Sequence, residues 1–131
     1  MSRRVTLKTE QKRSPANIFT AGEDIPVDTL VYISDANTVS IVSWNTGFNK
    51  VVGISNTAVT DGNEILITIL GLHVLETSLA GGTAGDPVYF DNDGALTLTE
   101  PTSGSADFIQ QVGIYNTPTS IFIQLLPPIK F

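Results

Sequence analysis

The sequence predicts an all-β fold, and three observations carry that prediction. Short runs rich in Val, Ile, Thr, Phe and Tyr follow one another along most of the chain, separated by turn residues. No stretch keeps the 3.6-residue period of an amphipathic helix for about ten residues. The chain also repeats itself. Leu30-Val31-Tyr32-Ile33, Val52-Gly53-Ile54-Ser55-Asn56-Thr57 and Ile65-Leu66-Ile67-Thr68-Ile69-Leu70 return as Pro87-Val88-Tyr89-Phe90, Val112-Gly113-Ile114-Tyr115-Asn116-Thr117 and Ile121-Phe122-Ile123-Gln124-Leu125-Leu126, at offsets of 57, 60 and 56 residues. Three matched blocks in one order describe a duplicated β unit, which is a structural body before it is a catalytic one. The expected architecture is a small barrel or sandwich built from both repeats.

Residues 1–17 read as an extended basic arm. Val5 and Leu7 are the large apolar residues there besides Met1, and Ser14-Pro15 breaks regular structure. Extended, 17 residues reach at most about 60 Å, against a radius of gyration near ~14 Å for the body. Residues 18–131 form the β domain, with repeat one at about 22–79, repeat two at about 80–126 and a tail at 127–131. Strands are expected at 30–34, 38–43, 51–55, 64–70, 72–77, 87–90, 96–99, 108–115 and 120–126. Asp61-Gly62 and Asp93-Gly94 supply turn residues that tolerate positive φ. Ala80-Gly81-Gly82-Thr83-Ala84-Gly85 reads as a flexible bridge between the copies. Pro127 and Pro128 stop the last ladder.

The two closing blocks, 65–70 and 121–126, are apolar at successive positions. A strand with one wet face alternates apolar and polar residues, so both faces of these strands are expected to be covered. In a domain this small the second cover is a second copy of the chain or another sheet of the same chain. The self-association reading takes Leu66, Leu70, Phe122 and Leu126, with Ile129 and Phe131 of the tail, as contacts, and favours a closed trimer.

Composition bounds the chemistry. The 131 residues suit one domain, which can bury roughly 70% of its unfolded surface. With no cysteine there is neither a disulfide nor a thiolate metal site. No apolar run approaches the ~20 residues of a membrane span, and the basic N-terminus lacks the apolar stretch of a signal peptide, so a cytoplasmically synthesised product with no membrane partner is expected. The net charge of −6 hides a split. Arg3, Arg4, Lys8, Lys12 and Arg13 stand against Glu10, whereas residues 14–131 hold Lys50 and Lys130 against twelve acids, a net of −10. Such a body repels nucleic acid.

The candidate sites are sparse. His73 is the single histidine, with apolar neighbours and no visible partner set for general-base or zinc chemistry, so it reads as structural. Asp91-Asn92-Asp93-Gly94 fails calcium-loop spacing, with Gly at position 4 and Thr102 at position 12, and reads as a hairpin turn. The glycines of 80–85 lack the Lys and Ser/Thr of a phosphate loop. No metal, cofactor or catalytic residue is expected. Trp44, with Phe48 nearby, reads as either a sugar-stacking site or a cap on the end of the barrel. The arm reads as a segment that orders on a partner, with Val5, Thr6, Leu7 and Thr9 able to add as a strand while its cations meet acidic patches.

The stretch Gly85-Asp86-Pro87-Val88-Tyr89-Phe90-Asp91-Asn92-Asp93-Gly94-Ala95-Leu96-Thr97, followed by Gln111-Val112-Gly113-Ile114 and the apolar strand 121–126, resembles capsid decoration proteins of tailed bacteriophages, of cement or head-fibre type. A diverged copy runs through Val27-Asp28-Thr29-Leu30-Val31-Tyr32. The resemblance covers about residues 22–126. It implies a non-enzymatic virion component on the capsid exterior, a homotrimer whose partner is the major capsid protein. It also implies that the arm clamps the shell, which on this chain means Arg3, Arg4, Val5, Leu7, Lys8, Lys12 and Arg13. A receptor- or glycan-binding module of a virion appendage is the alternative expectation.

Overall fold

The computed structural model describes residues 16–44, 49–104 and 106–131. These are all-β, in twelve strands. The first five are β1 (Ala16–Ala21), β2 (Leu30–Asp35), β3 (Thr38–Ile41), β4 (Gly53–Ser55) and β5 (Glu64–Thr68). They close a barrel in the order β1-β3-β2-β4-β5. Strand β1 completes it, running antiparallel to β5 and parallel to β3. A second sheet has the order β6-β11-β10-β7-β8, from β6 (Leu70–Val74), β11 (Ser120–Gln124), β10 (Gly113–Thr117), β7 (Pro87–Phe90) and β8 (Leu96–Thr97). A short ribbon pairs β9 (Phe108–Ile109) with β12 (Ile129–Lys130).

The duplication is visible in the topology. Strands β3-β2-β4-β5 neighbour one another in the same order as β8-β7-β10-β11. The registers agree: Val31 faces Gly53 as Val88 faces Gly113. Each repeat also owns a leading strand, since β1 lies beside β5 as β6 lies beside β11. Repeat one therefore begins at Ala16, inside the segment read from the sequence as arm, and Ala16 and Asn17 pair with Thr68 and Ile67.

The changeover between the units lies at Ile69, not at 80–85. The long apolar run from Ile65 onward is shared: Glu64–Thr68 closes the barrel, and Leu70–Val74 pairs with β11 in the other sheet. Residues 80–85 are docked within the second unit. The Gly85 amide donates to the Tyr115 carbonyl, and the Tyr115 hydroxyl donates to the Leu79 carbonyl. The expected strand at 108–115 is two strands, β9 and β10, and pairing resumes beyond Pro127 and Pro128 as β12.

Two local features explain the repeated motifs. Gly53 and Gly113 let a neighbouring strand come close. A Cβ on Gly53 would stand 2.7 Å from the Thr68 carbonyl oxygen, and one on Gly113 would stand 2.6 Å from that of Phe122. Ahead of β2 and β7 the backbone turns through the left-handed region. Repeat two uses Gly85 there (φ 97°), whereas repeat one uses Asp28 (φ 57°). The hydrogen bonds match: Asp28 and Gly85 donate to Ser55 and Tyr115 carbonyls, and Ser55 and Tyr115 amides donate to Thr29 and Asp86 carbonyls.

Two cores result. Ala21, Ile25, Val31, Val39, Ile65 and Ile67 fill the barrel. Leu30, Val42, Val51 and Ile54 turn outward from it and pack against Leu75, Val88, Phe90, Phe108, Val112, Tyr115, Ile121 and Ile123. Successive residues Leu30 and Val31 serve different cores, which is why β2 begins with two adjacent buried apolar residues. Gln110, fully buried, joins the loop at Val51 to the chain end by accepting from the Val51 amide and donating to the Leu126 carbonyl.

Candidate functional site

The outer face of the leading and closing strands carries an uncovered apolar stripe. On β5, Ile65 and Ile67 point into the barrel and Leu66 points out. On β6, His73 points inward while Leu70, Leu72 and Val74 point out. Cross-strand pairs widen the stripe: Ile18 faces Leu66, and Leu72 faces Phe122. Exposure is 62% for Ile18, 43% for Leu66, 59% for Leu72, 72% for Val74 and 40% for Phe122. Ile69, at the changeover, is exposed as well. From Ile65 to Leu75 the sequence contains no Asp, Glu, Lys or Arg. Large apolar side chains grouped this way mark an interaction surface, whereas single exposed ones do not.

All six contact residues named from the sequence, Leu66, Leu70, Phe122, Leu126, Ile129 and Phe131, are exposed in the single chain. The structure divides them. Leu66, Leu70 and Phe122 belong to the stripe. Leu126 and Ile129 line a separate cleft of about 190 Å³ with Tyr89, Glu100, Ile109, Gln111 and Pro127. Phe131 lies at the end of the β9–β12 ribbon, its amide donating to the Asp107 carbonyl. Sequence reasoning missed Ile18, Leu72 and Val74. The available signal was the alternation of Leu70, Leu72 and Val74 with residues that proved to be inward-facing.

Beside Tyr89, burial disfavours the phenolate and holds the hydroxyl above its ordinary value of 10.0, and the Glu100 carboxylate adds repulsion and a hydrogen bond in the same direction.

His73 is buried and paired with an acid. It is 2% exposed, and its Nε2 lies 2.8 Å from Asp28 Oδ1. The other Asp28 oxygen accepts the amides of Glu76 at 2.8 Å and Thr77 at 3.4 Å. His73 Nδ1 has no hydrogen-bond partner among the described residues, so no nucleophile is aligned with this His–carboxylate pair. The pair ties the start of β2 to β6. Thr29 bridges to Ala95 alongside it, and the Leu30 amide donates to the Gly94 carbonyl. The first unit thus docks where β6 and the short β8 leave the second sheet unclosed.

Asp91-Asn92-Asp93-Gly94 is a turn, with the Asp91 carboxylate accepting the Asn92 amide and Asp93 accepting that of Ala95. The matching Asp35 accepts the Ala36 amide in the same way. Among the described residues no group of three or more His, Asp or Glu side chains could hold a metal ion. Trp44, half-buried against the inter-unit core, lines a cleft of about 340 Å³ with Phe90, Asp91, Thr97, Thr99, Glu100, Pro101 and Thr102. Its Nε1 is without a partner among the described residues. Phe48 and the arm residues Arg3, Arg4, Val5, Leu7, Lys8, Lys12 and Arg13 lie outside the described residues.

No family model matches the chain, and no curated protein matches it. Among solved structures the chain is similar to the head fiber gp8.5 N base in bacteriophage phi29, at 10% identity and a TM-score of 0.41, over 88% of this chain and 96% of that one.

Proposed function

We propose that this chain is a non-enzymatic structural component of a phage virion that binds the capsid exterior as an oligomer, a trimer in our reading, and stabilises the shell through its basic N-terminal arm. The observation that carries the reading is the stripe. A body with a net charge of −10 over residues 14–131 leaves Leu66, Ile69, Leu70, Leu72 and Val74 of one charge-free run in water along two of its sheets. That is the surface of an assembly part. The duplicated topology supports it, and so does the decoration-type motif, which falls on β7, its turn and β8. The arm enters the body at Ala16, opposite Thr68 and one residue from the changeover at Ile69.

The test is cosedimentation with capsids of the phage that encodes the chain. The truncation removes residues 1–15, which keeps all of β1. The full chain is expected to pellet with shells and the truncated body to stay in solution with an unchanged melting curve. Shell binding by the truncated body would overturn the arm mechanism. The cleft beside Trp44 supports a second reading, a receptor- or glycan-binding appendage module, since an aromatic face among carboxylates and hydroxyls suits a sugar. A full chain that ignores shells and retains cell-surface glycans would transfer the function to that cleft.

A further inference from the structure

We propose that copies of this chain join head to tail, the Ile18–Leu66 patch of one copy seated on the Leu72–Phe122 patch of the next. The inference rests on the proposed oligomer for self-association alone, and it specifies the contact that builds it.

The two patches are one patch made twice. Strand β1 pairs with β5 as β6 pairs with β11, both antiparallel, and Ile18 stands across from Leu66 as Leu72 stands across from Phe122. Both pairs point to solvent, and both sit on leading-plus-closing strand pairs of equivalent units. A chain therefore carries two apolar surfaces of the same construction.

An isologous dimer that pairs either patch with its own copy would bury one and leave its twin in water. A head-to-tail contact uses both on every copy, and it closes into a ring when the rotation between neighbours allows. Charge limits where copies can meet. Two bodies of net −10 repel, which favours contact through surfaces poor in acids. The Leu72–Phe122 patch is such a surface, its outward neighbours on β6 and β11 being Leu70, Val74 and Gln124, while beside the Ile18–Leu66 patch the one outward acid of β5 is Glu64.

The experiment uses two full-length variants, Ile18→Glu with Leu66→Glu and Leu72→Glu with Phe122→Glu. Mass is read by light scattering after size exclusion for the wild type, each variant alone and their equimolar mixture. If a double variant fails a melting control, the single substitutions Ile18→Glu and Leu72→Glu, at the more exposed member of each pair, replace it. The expected result is an oligomeric wild type, each variant at the mass of one chain, and a mixture at twice that mass, because each variant keeps the patch the other needs. A variant that alone retains the wild-type mass or forms a dimer overturns the head-to-tail contact in favour of an isologous one or the C-terminal tail. A mixture that stays monomeric overturns the complementarity of the patches. A monomeric wild type overturns the contact outright while leaving shell binding, measured separately by sedimentation, to decide the function.

Discussion

Replacing Gly53 or Gly113 with Ala tests whether the repeated Val-Gly-Ile motif exists to bring two strands together. At Gly53 a Cβ would run into Ile67 Cγ2 and stand 2.7 Å from the Thr68 carbonyl oxygen. At Gly113 it would meet the Phe122 carbonyl oxygen at 2.6 Å. Real Cβ contacts essentially never fall under 3.0 Å, so in each case a paired strand must retreat. Overpacking of this kind destabilises by about 1–3 kcal/mol. The obstacle is backbone rather than a flexible side-chain tip, which places both variants in the upper part of that range, about 2–3 kcal/mol. Gly53→Ala should be the worse, because a buried methyl of Ile67 blocks it as well. Gly104→Ala is the control: nothing lies within 4 Å of its Cβ, and its φ is not positive. It should be neutral or stabilise by up to about 1 kcal/mol through the unfolded chain. The assay is urea unfolding at one fixed protomer concentration, reading the midpoint and confirming an unchanged slope. If Gly53→Ala unfolds within about 0.5 kcal/mol of Gly104→Ala, a spread expected for neutral surface changes, the close approach is not what the glycine provides.

Two further outcomes follow from the Asp28 hydrogen bonds and from the Tyr89–Glu100 pair. Asp28→Ala removes three hydrogen bonds from a nearly buried carboxylate and puts alanine at φ 57°; a loss of about 3 kcal/mol is expected. Asp28→Gly, which copies Gly85 of the other repeat, should recover about 1 kcal/mol of strain but not the hydrogen bonds, and a glycine variant as stable as wild type would refute the tie. Because Tyr89 holds its proton above 10.0, the folded state binds that proton more tightly than the unfolded chain does. Its contribution is therefore complete below about pH 10 and lost as pH rises through the raised value. Tyr89→Phe should flatten the alkaline fall in stability, and Glu100→Gln should lower the alkaline titration of Tyr89 in ultraviolet absorbance; an unchanged alkaline slope in Tyr89→Phe would contradict the assignment.

Much of the fold is written locally. The β-branched runs, the Asp-Gly turns and the repeated Val-Gly-Ile blocks are short-range signals, and they specify an all-β duplicated body because strand propensity and turn chemistry act within a few residues. The apolar character of both faces of 65–70 and 121–126 is equally local, and it marks Leu66, Leu70 and Phe122 without any knowledge of packing. The strand at Ala16–Ala21 was hidden because its neighbours in sequence are charged, and its reason to be extended is the gap between β3 and β5. The partner of His73 was hidden because Asp28 is 45 residues away and meets it only when the first unit docks into the second.

The sequence by itself determined the fold class, the duplication, the charge split between arm and body and the presence of more apolar faces than one core needs. Only the tertiary structure decided which face each strand covers. A single run, 64–74, is divided at Ile69 between two sheets, and that division turns Ile65 and Ile67 inward and leaves Leu66, Leu72 and Val74 in water. The physical reason is that side-chain alternation fixes two faces but not their environments. Burial is assigned by the strands and cores that assemble around them, and those come from distant parts of the chain.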